Sequence, residues 1–136
     1  MKKFVAVLNK KIETGKLMNA LGHMSVGFTA LYPDKESLNF DNYIDKDGSI
    51  HPSISDNPFI VLSANNSNQL RTLRNALKEK NIPFTDFIDT MSVGTAEEQK
   101  QRTKKTPDSE LEYYGICCFG DSEDLRELTK KFSLWK

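Results

Sequence analysis

The sequence predicts an α/β domain of three layers: a mixed, mostly parallel four-stranded sheet with helices on both faces. Two observations lead there. Short apolar runs alternate with segments of helical period along the chain, the pattern of strand–helix–strand units whose right-handed crossovers join parallel neighbours. A long polar segment precedes the last apolar run, giving that strand room to return antiparallel. At 136 residues the chain can bury roughly two-thirds of its unfolded surface in a single core. Residues 1–136 are therefore one domain, with insertions near 34–57 and 92–112.

Phe4-Val5-Ala6-Val7-Leu8 is a continuous apolar run, as in a strand covered on both faces. Thr14 is the expected N-cap of the first helix. Its core stripe is Leu17, Leu21, Met24, Phe28 and Leu31, and Pro33 stops it. Tyr43-Ile44 and Ser49-Ile50 flank Asp47-Gly48, a favoured hairpin turn. Asp41, Asp45 and Asp47 lack the spacing and terminal Glu of a calcium loop, so they read as turn residues. Phe59-Ile60-Val61-Leu62 is a second buried strand. Asn66 and Gln69 then resemble a capping box and start a helix buried through Leu70, Leu73 and Leu77.

Ile82-Pro83-Phe84 leads into a third strand ending near Ile88. Thr95 and Glu98 cap a short polar helix carrying Lys100, Arg102, Lys104 and Lys105. With no aromatics interleaved, that cluster reads as a solvated face. Tyr113–Phe119 is the fourth strand. Asp121 caps a last helix with Glu123 and Asp124 in its first turn and Lys130 and Lys131 in its last, which suits the helix dipole.

Composition narrows the partners. Nineteen basic and nineteen acidic side chains cancel, whereas chains that hold nucleic acid electrostatically are usually basic or carry a basic stripe. The run Phe4–Leu8 is too short for a signal-peptide core or a membrane span. Cys117 and Cys118 are adjacent and face opposite sides of a strand. They read as small buried residues in a reducing cytoplasm. No metal site and no cofactor is expected.

The segment "TGKLMNALGHM" raises the functional question. At 100° per residue, Asn19 lies about 60° and His23 about 20° from the direction of Lys16. The three border the buried stripe. The helix begins where open α/β sheets bind ligands, beyond the carboxyl ends of the strands. A lysine in a first helical turn is electrostatically misplaced unless something negative offsets it.

Four stretches taken in order resemble the type 2 peptidyl-tRNA hydrolase fold, and more closely an uncharacterised group of small bacterial proteins that share it. They are the first strand, "GKLMNALGHMSVG", "PFIVLSANNSNQLRTLRNALKEKNIPFTDFIDT", and "ICCFGDSEDLRELTKKFSLWK" with its closing Leu-aromatic. Together they span about two-thirds of the chain. The resemblance implies metal-independent hydrolysis of an aminoacyl or peptidyl ester, or of a related nucleotide-linked substrate. Lys16 would bind phosphate or stabilise developing negative charge. Asp89 would orient or activate water, with His23 and Asn19 in support. Gly15, Lys16, Thr90 and Thr95 would bind substrate.

Ala20 stands where that family has a glutamine, which raises a second reading: a non-catalytic anion- or nucleotide-binding module on the same fold. The partners implied are tRNA or a small phosphate-bearing or carboxylate ligand, with no membrane and with room for a homodimer.

Overall fold

The computed structural model describes all residues from 1 to 136. The chain runs β1 (Lys2–Asn9), α1 (Thr14–Leu31), β2 (Phe40–Ile44), β3 (Ile50–Ser55), β4 (Phe59–Ala64), α2 (Ser67–Glu79) and β5 (Phe84–Ile88). It continues through α3 (Ala96–Lys104), β6 (Tyr113–Asp121), α4 (Ser122–Thr129) and β7 (Ser133–Leu134). Single turns of 3-10 helix cover Lys35–Leu38, Asp89–Met91 and Asp108–Glu110. No helix is long and apolar enough to cross a membrane.

The domain is a mixed α/β fold with four helices, but its sheet is not the expected one. It has five strands in the order β5-β6-β1-β4-β7. Only β1–β4 is parallel; β1–β6, β5–β6 and β4–β7 are all antiparallel. The expectation of a mostly parallel four-stranded sheet fails because only β1–α1–β4 joins neighbouring strands by a crossover. After α2 the chain skips past β1 to place β5 at the far edge, and β6 returns antiparallel into the gap. The two-residue β7 is too short to leave an apolar pattern in the sequence.

Helices do cover both faces. Val5, Val7, Ile116 and Cys118 pack against Leu70, Leu73 and Leu77 of α2 and Leu125 of α4. On the other face, Leu8 and Cys117 pack against Leu17, Ala20 and Met24 of α1, and Phe4 and Phe119 against Phe28 and Leu38. Strand alternation produces this split. It puts Cys117 and Cys118 under opposite layers, both as free thiols. Burial pushes the Cys117 thiol up to about 12 and raises Cys118 as well, so neither is a ready nucleophile.

The stripe of α1 differs from expectation. Ala20, not Leu21, completes it with Leu17, Met24 and Phe28, and Leu31 is exposed. The small Ala20 lets the helix sit close to the sheet, turning Leu21 to one side. Thr14 is the first helical residue; the cap position is Glu13, whose side chain caps nothing. Elsewhere the caps are as expected. Asn66 accepts from the Gln69 amide, Thr95 and Glu98 form a full capping box, and Asp121 accepts from the amides of Glu123 and Asp124. Lys130 only follows α4 and Lys131 lies beyond it, leaving Arg126 as the base in its last turn.

The two insertions behave differently. Residues 34–57 form the β2–β3 hairpin, a separate two-stranded sheet. Its turn carries Gly48 at φ 85°, a left-handed backbone that glycine adopts without penalty. Residues 92–112 carry α3, which is tied back to the turn after β5 by a bond from Arg102 to the Thr90 carbonyl.

Candidate functional site

From Gly15 to Gly27, α1 lies against β5 and the turn that follows it, leaving a groove along that junction. Two adjoining cavities make it up. One of about 510 Å³ has Asn19, His23 and Gly27 on the α1 side and Thr85, Asp86 and Phe87 on the β5 side. The other, of about 250 Å³, contains Gly15, Lys16, Val93 and Tyr114. Asn19, Phe87 and Ser92 border both. Met91 and Gln99 close the far wall of the larger one.

The spacing read from the sequence explains why three side chains of α1 share this opening. Lys16, Asn19 and His23 recur at helical intervals along one border of the buried stripe, and each is exposed. The ion pairs of the chain are Asp45–His51, Arg71–Asp108, Arg74–Asp86, Glu123–Arg126 and Glu127–Lys130. Lys16 is in none of them, so its charge is uncompensated. α1 also has no acidic residue in its first turn. The His23 ring stands 5.9 Å from that of Phe87, tilted by 34°. Phe87 thus forms the apolar floor between the polar walls. Below the helix, the Thr85 hydroxyl donates to the Met24 carbonyl at 2.8 Å and ties α1 to β5.

Of the other residues picked from the sequence, Asp89, Thr90 and Thr95 sit elsewhere. Asp89 borders neither cavity. Its amide donates to the Glu112 carbonyl at 2.9 Å, and one carboxylate oxygen accepts from the Glu112 amide at 3.1 Å. This reciprocal pair extends the β5–β6 ladder past its bulge. Thr90 is buried, with its hydroxyl 2.6 Å from that of Thr103. Thr95 uses its hydroxyl to cap α3. Gly15 borders the smaller cavity, and a Cβ there would meet nothing within 4 Å. No three His, Cys, Asp or Glu side chains converge as a metal would need.

Ser92, Gln99, Thr85, Phe87 and Tyr114 escaped the sequence reading. Phe87 and Thr85 were legible only as alternate strand residues, and Ser92 and Gln99 belong to no motif. On the opposite flank of α1 lies an apolar cavity of about 430 Å³, bordered by Leu21, Val61 and Trp135 among others. The outward-turned Leu21 thus has a place.

Asp86 points its side chain to the other face, where its carboxylate accepts from Arg74 Nε at 2.9 Å. Burial nevertheless raises its pKa above 3.8, with the Arg74 bond opposing that rise. A raised native pKa means the folded state binds the proton more tightly than the unfolded chain. Stability from this group is therefore complete below pH 3.8 and is lost as pH rises through the native value. Wild type should gain stability relative to Asp86→Asn as pH falls across that window. Parallel urea titrations of the two proteins would check it; a constant difference from pH 7 to pH 4 would contradict it.

Comparison with known proteins gives a family and a fold. The family described as "Protein of unknown function (DUF2000)" matches residues 2–136. No curated protein matches. A solved structure of a protein of unknown function from Agrobacterium tumefaciens strain C58 is similar with a TM-score of 0.84. It is 18% identical and covers 99% of this chain and 98% of its own. At that identity the likeness is one of fold.

Proposed function

This chain belongs to the family described as "Protein of unknown function (DUF2000)", and on that premise we propose that its groove binds an anionic ligand, a carboxylate or phosphate, without transforming it. The observation that carries the reading is Lys16: an unpaired cation at the start of α1, opening on a cavity shared with Asn19 and Ser92. Lys16 supplies charge, Asn19 and Ser92 supply directional hydrogen bonds, and Phe87 and Tyr114 keep water from screening them. The resemblance to the type 2 peptidyl-tRNA hydrolase fold rests on sequence alone, on Gly15-Lys16 opening the helix after β1 and His23 two turns on; neither the family match nor the solved structure carries it. Against hydrolysis stands the carboxylate the chemistry would need: Asp89 is turned to the Glu112 amide and borders neither cavity.

Calorimetric titration with inorganic phosphate, acetate and a nucleoside monophosphate tests the reading. A charge-assisted hydrogen bond contributes about 1.5–3 kcal/mol. Lys16→Ala should therefore weaken binding about 10- to 100-fold while moving the melting temperature little, because Lys16 is exposed and unpaired. A flat wild-type titration, or equal affinity in the variant, would overturn it. One observation favours a second reading, ester hydrolysis: the His23 imidazole is exposed and borders the groove, and imidazole is the side chain most often used as a general base. Turnover of peptidyl-tRNA or a simple aminoacyl ester, lost in His23→Ala, would establish that reading in place of the first.

A further inference from the structure

The groove also runs beside an unpaired strand edge. β5 is the outermost strand of its sheet and pairs only with β6. The Phe119 amide donates to the Pro83 carbonyl at 3.4 Å, so Pro83 and Phe119 form a hydrogen-bonded pair of the antiparallel ladder. Such pairs alternate along a strand. Thr85 and Phe87, opposite Cys117 and Gly115, therefore bond inward to β6. The N–H and C=O groups of Phe84 and Asp86 point outward. This explains how Asp86 borders the larger cavity although its carboxylate is held by Arg74 on the other face. Its backbone is what faces the groove.

We propose that the groove takes the carboxyl-terminal end of an extended peptide, which adds as a strand to β5 and seats its terminal carboxylate on Lys16. The inference rests on the anion-binding reading and names its ligand class. Three features select a peptide end. First, the outward backbone groups at Phe84 and Asp86 offer ladder bonds that only another extended backbone satisfies well. Second, α1 runs antiparallel to β5. The Gly27 side of the groove lies by Thr85, and the Lys16 side by Phe87 and Ser92. A peptide with its carboxylate at Lys16 thus runs parallel to β5. Third, the chain turns across the end of β5 at Asp89–Met91, and Ser92 and Val93 border the groove at its Lys16 end. With the only unpaired cation of the groove placed there, a terminal carboxylate suits that end better than an internal segment.

The stretch from Lys16 to Gly27 spans about 16 Å of helix, the length of about five extended residues. Alternate side chains of the bound strand would face Asn19 and His23.

A library of random heptapeptides with free carboxyl termini, selected against the full chain, supplies the probes. A selected peptide, labelled with fluorescein at its amino end, is then measured by polarisation as the acid, as the C-terminal amide, and with the amide that pairs with Asp86 N-methylated. We expect each modification to weaken binding at least tenfold, and hydrogen exchange of the Asp86 amide to slow at least tenfold in the complex. Equal binding of acid and amide would overturn the seating of a terminal carboxylate on Lys16, and unchanged exchange at Asp86 would overturn strand addition; either result would sink the proposal. So would a selection yielding no peptide that depends on Lys16. If phosphate or acetate still binds through Lys16 in that case, the anion site stands and only the peptide is lost. If neither small anions nor peptides bind, both readings fall.

Discussion

Phe28→Ala should lower the unfolding free energy by about 3–5 kcal/mol, the range for truncating a buried phenylalanine. Phe28 is 1% exposed. Its ring meets Phe4 edge-on at 5.8 Å, stacks on Tyr32 at 5.5 Å and lies 6.1 Å from Phe119. The loss includes the transfer free energy of the ring, its aromatic geometry, and a void that the neighbouring rings cannot fill by small shifts. In a domain of this size the melting temperature should fall by about 10–20 °C. Urea unfolding followed by circular dichroism measures it. A loss under about 1 kcal/mol would mean that the second half of α1 is not held through this cluster. The anion site at Lys16 and Asn19 lies near the start of α1, well before Phe28, so phosphate affinity should change much less than stability.

Gly115→Val should combine the two effects, at about 1–3 kcal/mol of stability together with loss of binding. Gly115 pairs with Leu8 on one side and Phe87 on the other, beneath α1. A Cβ added there would stand 2.7 Å from Leu8 Cδ2, 3.0 Å from Met24 Cε and 3.1 Å from the Val7 carbonyl oxygen. The two side chains can swing aside at some cost, but the Val7 backbone cannot without bending β1. Valine adds two further methyls to that conflict. The easiest relief is for α1 to lift from the sheet, which moves Lys16, Asn19 and His23 relative to Phe87. Melting temperature and phosphate titration together check this. A variant that binds as tightly as wild type would show that the groove does not depend on how closely α1 seats.

The parts of the fold that were readable in the sequence are those decided locally. Strand and helix positions followed from apolar period. The caps at Asn66, Thr95 and Asp121 and the Asp47-Gly48 hairpin followed from side chains that satisfy backbone groups a few residues away. Strand order was not readable, since nothing in β5 or β6 states which neighbour it joins; that is settled by which arrangement covers both faces. That Lys16, Asn19 and His23 border one groove followed from spacing alone, because one helix carries all three residues. Asp89 was misplaced for the opposite reason. A residue at a strand end is aimed by the bulge between Phe87 and Ile88, and a bulge leaves no signature in composition.

The central position of β1 bears on how the chain reaches this state. Its two ladders join Lys2 to Asp121 and Phe4 to Phe59, so β1 must wait for a partner strand far along the chain. During synthesis, the middle of the sheet stays open until β6 has left the ribosome. Until then the apolar run Phe4–Leu8 lacks one flanking strand and is exposed to chaperones and to self-association. Closing so large a loop is also entropically costly, and long-range pairing of this kind slows folding relative to chains built on local contacts.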